Sequence, residues 1–136
     1  MAHSIRIPSN ILQELFAHTS HEQGNECCGL LAGRDRTITR AYRAENVAAN
    51  PSTSYEVATK EIVSLTREIR NAGLEMIGIY HSHPNGKGQP SDTDIAAASY
   101  PDVAHFIIAK APDLEMAVRA FLIRGGEVEE LNIVIV

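Results

Sequence analysis

"EMIGIYHSHPNGKGQPSDTD", residues 75–94, changes character twice along its length. The opening, mostly apolar as far as Tyr80, reads as a strand entering the core, and Pro84, with no amide hydrogen to give a ladder, ends it. Side chains two apart on a strand share a face, so His81 and His83 converge on one point at the strand's end, while Ser82 points to the opposite face as a packing residue. Gly86 and Gly88 let the following loop turn tightly. Ser91 with Asp94 three residues on is a helix-start signature, the serine capping and the aspartate complementing the helix dipole. Two imidazoles on one face suit a zinc ion, which in catalytic sites takes three protein ligands and keeps a position open. Asp94, brought back to the strand end by the loop, is the candidate third ligand. Each fragment also has a plainer origin: a lone His-x-His is most often structural or solvent-facing, and Ser91 and Asp94 can cap a helix without binding metal. The two roles are compatible in one geometry.

Outward from this stretch the chain reads as mixed α and β. Ser9 can cap a helix entered at Pro8, with Ile11, Leu12, Leu15 and Phe16 on one face, and "HTSHEQGN" ends it. "CCGLLAG" reads as a buried strand closed by Gly33, "TITRAYRAENVA" as a longer strand and "NPSTS" as a loop. From Thr59, the residues Ile62, Leu65 and Ile69 recur at helical spacing until Gly73 stops them. "SDTDIAAASY" is a short helix, and "AHFIIAK", "MAVRAFLIR" and "VEELNIVIV" are strands, the last two joined by a hairpin at Gly125 and Gly126. The order predicts an α/β domain with a central sheet flanked by helices. A chain of 136 residues, 44% of them hydrophobic, holds one such domain with a real core, spanning residues 1–136.

The net charge of −5 comes without any Lys/Arg-rich run, so no nucleic-acid partner is expected. "MAHSIRIPSN" lacks the pattern of a signal peptide and "LNIVIV" is too short to span a bilayer, which makes a cytoplasmic protein without membrane attachment the expectation. Cys27 and Cys28 are adjacent and bridge only with strain, so both are expected to stay reduced, at least one of them in a buried strand position, a vicinal redox switch being the alternative. "HEQGN" puts Asn25 where a thermolysin-type helix needs its second histidine, and the nucleobase-deaminase pattern is absent.

"HSHPNGKGQPSDTD" gives His-x-His-Pro, six residues, then Ser-x-x-Asp, and resembles at every fixed position the signature of the JAMM, or MPN+, metalloproteases. "NECCGLLAGR" looks like that family's glutamate-bearing segment, with Glu26 at the matching position, and "NVAANPSTSYEV" is similar to the segment that follows in small bacterial and archaeal members. The likeness runs from the first helix to the last strands. It implies a single MPN-type domain with a mixed, cytidine-deaminase-like sheet, and zinc held by His81, His83 and Asp94. Zinc would bring its water's pKa into the neutral range. It also implies that Glu26 takes a proton from that water and passes it to the leaving group, and that Ser91 stabilises the oxyanion. The implied substrate is the bond after the C-terminal Gly-Gly of a ubiquitin-like protein, the tail lying extended beside a strand. Residues 50–56 and 85–90 are the candidate groove. For a small stand-alone prokaryotic member the resemblance implies processing of a sulfur-carrier protein, freeing cysteine or a C-terminal extension. The alternatives are an isopeptidase acting on ubiquitin-like conjugates and a non-catalytic scaffold module.

Overall fold

The computed structural model describes residues 3–110 and 115–136. In chain order the elements are β1 (Ser4–Ile7), α1 (Ser9–His21), β2 (Cys28–Arg34), β3 (Thr37–Ala44), α2 (Thr59–Asn71), β4 (Glu75–His83), α3 (Asp92–Ala97), β5 (Ala104–Lys110), β6 (Met116–Arg124) and β7 (Glu127–Ile135). The sheet is mixed, as the sequence predicts. β2 runs antiparallel to β3 and β4, β4 parallel to β5, and β5, β6 and β7 form an antiparallel meander.

The sheet does not stay open between helices; it closes into a barrel in the order β1-β3-β2-β4-β5-β6-β7. The closing strand is the short "SIRI" of β1, which the sequence pattern did not reveal as a strand. It lies parallel to β7 with Ser4 opposite Asn132 and Ile7 opposite Ile135, and touches β3 through Arg6 and Thr37. The β1–β3 side of the closure is slight, with Arg6↔Thr37 as its register pair, so the rest of β3 has a strand partner on its β2 side alone among the described residues.

Alternation along the strands sorts side chains onto two faces. Ile5, Ile7, Leu31, Ile38, Phe106, Ile108 and Leu122 form the main core with Ile11, Leu12 and Leu15 of α1. Leu30, Ala32, Ile79 and Val103 form a second cluster under Leu65 and Ile69 of α2. On β4, Tyr80 belongs to the first cluster and Ile79 to the second, so His81 and His83 continue the outward row of Ile79.

The punctuation residues mostly act as their types require. Gly73 ends α2 at φ +75°, with the Leu74 amide returning to the Ile69 carbonyl at 3.1 Å, and Gly125 and Gly126 turn the β6–β7 hairpin at φ 57° and 85°. Ser9 departs from its expected role. Pro8 occupies the cap position, Ser9 is the first helical residue with no side-chain cap bond, and its amide donates to the Val136 carbonyl at 3.0 Å. Among the described residues no helix is long and apolar enough to cross a membrane. Cys27 and Cys28 are buried and free, and burial pushes both thiols up, Cys28 to about 12, so neither is poised as a thiolate.

Gly29 and Gly33 are fixed by contact rather than by torsion. A Cβ on Gly29 would sit 2.4 Å from the Tyr42 carbonyl oxygen and 2.5 Å from the Tyr80 ring. That ring is held from the other side, its hydroxyl 2.7 Å from Nδ1 of the buried His18 on α1. Gly29→Ala should therefore lose about 1–3 kcal/mol of unfolding free energy, the usual range for overpacking, measured as a lowered denaturant midpoint.

Candidate metal centre

β4 delivers His81 and His83 to one place, and the loop after Pro84 brings α3 back over them. Nε2 of His81 lies 3.0 Å from Nε2 of His83, and Oδ2 of Asp94 lies 3.1 Å and 3.0 Å from the two nitrogens. The three atoms form a nearly equilateral triangle. His81 is 1% exposed and His83 8% exposed.

The hydrogen bonds around the triangle decide what it can hold. Nδ1 of His83 lies 2.7 Å from the Lys87 carbonyl, which can only accept, so Nδ1 carries the hydrogen and a neutral His83 aims a lone pair from Nε2 at the Asp94 carboxylate. At most one proton, on His81, is then available for three electron-rich atoms. A proton or a cation at the centre resolves that conflict. Burial opposes ionisation of Asp94, but the two imidazoles and the Ser91 amide hold its carboxyl well below the usual range. Burial lowers the basicity of His81, whereas in His83 burial is outweighed by Asp94 and the Lys87 carbonyl. Three tetrahedral donors with bonds of about 2.0–2.2 Å lie roughly 3.3 Å apart. The observed triangle is within a few tenths of an ångström of that, so the donor set fits a small divalent cation.

Ser91 and Asp94 make the capping box read from the sequence. The Asp94 amide donates to Ser91 Oγ at 3.0 Å, and the Ser91 amide donates to Asp94 Oδ2 at 2.9 Å. The same Oδ2 faces both histidines, so the cap fixes the rotamer of the would-be ligand. Ser91 Oγ accepts in this box, which leaves its O–H to donate elsewhere.

Glu26 precedes β2 and is 5% exposed. One of its carboxylate oxygens and the ligand atoms of His81 and His83 all lie within 4.8 Å of one another. Asp94 closes the tighter triangle, and Glu26 is a fourth group beside the two histidines. Its Oε1 has no hydrogen-bond partner among the described residues, and burial pushes its carboxyl up to about 7. The backbone there is fixed from two sides. The Glu26 amide donates to the Pro51 carbonyl at 2.7 Å, and Asn46 Nδ2 donates to the carbonyls of Glu26 and Ser54, both at 3.0 Å. Asn46 Oδ1 accepts from the amides of Ala48 and Glu56. Ser82 faces inward as expected, yet it does more than pack. Its hydroxyl accepts the Cys27 amide at 2.9 Å while its own amide donates to the Cys27 carbonyl. Ser82 thus ties the residue after Glu26 to the histidine strand, and Asn46 ties Glu26 to the segment that ends at Glu56. Sequence reasoning gave Ser82 no polar task and placed Asn46 only within a segment similar to that of small bacterial and archaeal members.

A cleft of about 390 Å³ opens beside this group, lined by Glu26, Thr53, His83, Lys87 and Ser91 among others. Residues from both candidate groove segments, 50–56 and 85–90, form its walls. Tyr55 stacks on the His81 ring at 4.4 Å between centroids and 23° between planes, and burial keeps its phenol neutral.

The raised Glu26 carboxyl sets a pH signature for folding. Its folded pKa of about 7 exceeds the ordinary 4.5, so folding is penalised by this group fully above pH 7 and not at all below 4.5. Glu26→Gln should raise the unfolding temperature of chelator-treated protein at pH 8, and the gain should vanish as pH falls toward 4.5 in a thermal-melt series.

Residues 8–123 match the family described as prokaryotic homologs of the JAB domain. A Haloferax volcanii protein named desampylase is 39% identical over 112 residues, covering 81% of this chain and 78% of that one. A Thermus thermophilus protein named probable TtuB-protein conjugate cleaving protease is 34% identical, covering 89% and 77%. The CysO-cysteine peptidase of Mycobacterium tuberculosis is 29% identical, covering 91% and 86%. The solution structure of a Desulfitobacterium hafniense protein superposes with a TM-score of 0.87 at 30% identity, covering 97% and 92%. The chain belongs to the JAB family, the JAMM or MPN+ domains, in its small prokaryotic form.

Proposed function

We propose that this chain is a zinc-dependent hydrolase that cleaves the bond after the C-terminal Gly-Gly of a ubiquitin-like sulfur-carrier protein, with residues 1–136 as one metalloprotease domain acting in the cytoplasm. The observation that carries the reading is the convergence of His81, His83 and Asp94 at 3.0–3.1 Å beside an unpaired buried carboxylate. The fold's kinship to the cytidine-deaminase-like architecture belongs to the same proposal.

His81, His83 and Asp94 would hold the metal, which when bound supplies Lewis acidity toward the scissile carbonyl and acidifies water. Glu26 accepts the proton of the attacking water. With a pKa near 7 and no competing hydrogen bond on Oε1, it can take that proton at neutral pH and return it to the leaving nitrogen as the C–N bond breaks. The Ser91 hydroxyl lines the same cleft and donates to the oxygen on which negative charge develops. The substrate tail lies extended against residues 50–56, whose conformation Asn46 fixes. The products are the carrier's free carboxylate and an amine.

Two relatives favour a second reading of the leaving group. The Haloferax volcanii and Thermus thermophilus proteins carry names of conjugate-cleaving enzymes, which points to isopeptide-linked ubiquitin-like conjugates, while the mycobacterial name points to a cysteine adduct. The intact donor set and Glu26 speak against a silent scaffold.

Mass spectrometry of zinc-loaded protein with a sulfur carrier extended past Gly-Gly by cysteine, and with the same carrier linked to a lysine side chain, separates these. Cleavage after the second glycine is expected, with Glu26→Gln slower by about a hundredfold or more and Ser91→Ala slower by about a hundredfold to a thousandfold. Cleavage of neither substrate by zinc-loaded wild type contradicts the proposal.

A further inference from the structure

His83 has a partner for its second ring nitrogen; His81 does not. Nδ1 of His81 is buried with no hydrogen-bond partner among the described residues, and a second imidazole nitrogen in the same condition is Nε2 of His105. His105 is 5% exposed and lies on β5, the strand parallel to β4.

The strand register shows where these nitrogens face. Nε2 of His81 points up β4 toward His83 and Asp94. Nδ1, on the opposite side of the ring, therefore faces the row below, where Ile79 stands opposite Leu30 on β2 and His105 on β5. Side chains on one face of neighbouring strands reach each other along such diagonals when they are aromatic. Leu30 and Ile79 have nothing to offer a ring N–H, and Tyr55 covers the ring's face rather than its edge. The row also reaches Tyr42, opposite Leu30 on β3, whose hydroxyl likewise lacks a partner among the described residues, but β3 is two strands from β4; His105 is the polar group on the strand next to it.

We propose that His105 is a positioning residue of the metal centre, accepting the Nδ1–H of His81 through its Nε2 and so fixing the tautomer that turns the His81 Nε2 lone pair toward the metal. In the tautomer with its hydrogen on Nδ1, a neutral His105 has an Nε2 lone pair to give. Its χ2 torsion is of the broad kind that turns at little cost. The ring also borders a cavity of about 180 Å³ shared with Asp94, which gives it room to turn. Metal-bound histidines almost always give their second N–H to an acceptor, and losing that acceptor typically weakens metal binding about 10–100-fold.

The proposal rests on His81 being a zinc ligand, and its test needs no substrate. Zinc affinity is measured by chelator competition for wild type, His105→Phe and His105→Gln, together with the imidazole NMR resonances of His81 and the thermal stability of the metal-free proteins. His105→Phe should weaken zinc binding by about 10–100-fold and move the His81 Nδ1–H resonance away from its hydrogen-bonded position. Its metal-free stability should be kept, and His105→Gln, with an acceptor restored, should recover part of the affinity. Equal zinc affinity in wild type and His105→Phe overturns the proposal, as does a loss that tracks lowered stability with no change at the His81 resonance. Wild type that binds no zinc overturns the reading of the site itself.

Discussion

Three electron-rich atoms within 3.1 Å of one another, two imidazole nitrogens and a carboxylate oxygen, are the constraint around which the rest of this protein is arranged. Such a cluster repels itself unless a cation or proton sits among its members. The chain spends many fixed contacts on holding it. The Lys87 carbonyl sets the His83 tautomer, the capping box of α3 sets the Asp94 rotamer, Tyr55 covers His81, and Ser82 ties β4 to the residue after Glu26. Their joint effect is to keep lone pairs converged that would otherwise turn apart.

The barrel explains how so small a domain can do this. Closure by β1 gives the sheet a rigid interior filled by Ile7, Leu31, Phe106 and Ile108, which leaves the outward row of β4 free to carry polar chemistry under α3. Glu26 sits where β2 begins, so two neighbouring antiparallel strands present Glu26 and His83 to the same cleft. Keeping that carboxylate buried and unpaired costs stability at neutral pH, as is common where a fold holds a group ready to exchange a proton.

Much of this was legible in the sequence because local rules act locally. The His-x-His spacing places both rings on one face whatever the sheet does, and Ser91 with Asp94 forms its box from four consecutive residues. Strands β2 to β7 announced themselves by length and apolar content. β1 did not, since four residues before a proline carry too little pattern, and the parallel partners that make it a strand lie at Thr37 and Asn132. The expected Ser9 cap failed because the helix already begins at Ser9, after Pro8 in extended backbone, which puts the proline and not the serine in the cap position. Asn46, Ser82 and His105 acquire their roles only from residues brought close by folding. A lone histidine in "AHFIIAK" reads as core until the register with Ile79 is known.

The central claim is that Asp94, and not Glu26, completes the metal's protein ligands with His81 and His83. Diffraction at the zinc absorption edge from crystals of the zinc-loaded protein tests it directly. One anomalous peak bonded to His81 Nε2, His83 Nε2 and Asp94 Oδ2, with Glu26 outside bonding distance, is the predicted result. A peak bonded to Glu26 in place of Asp94, or no peak at these histidines, would contradict the account.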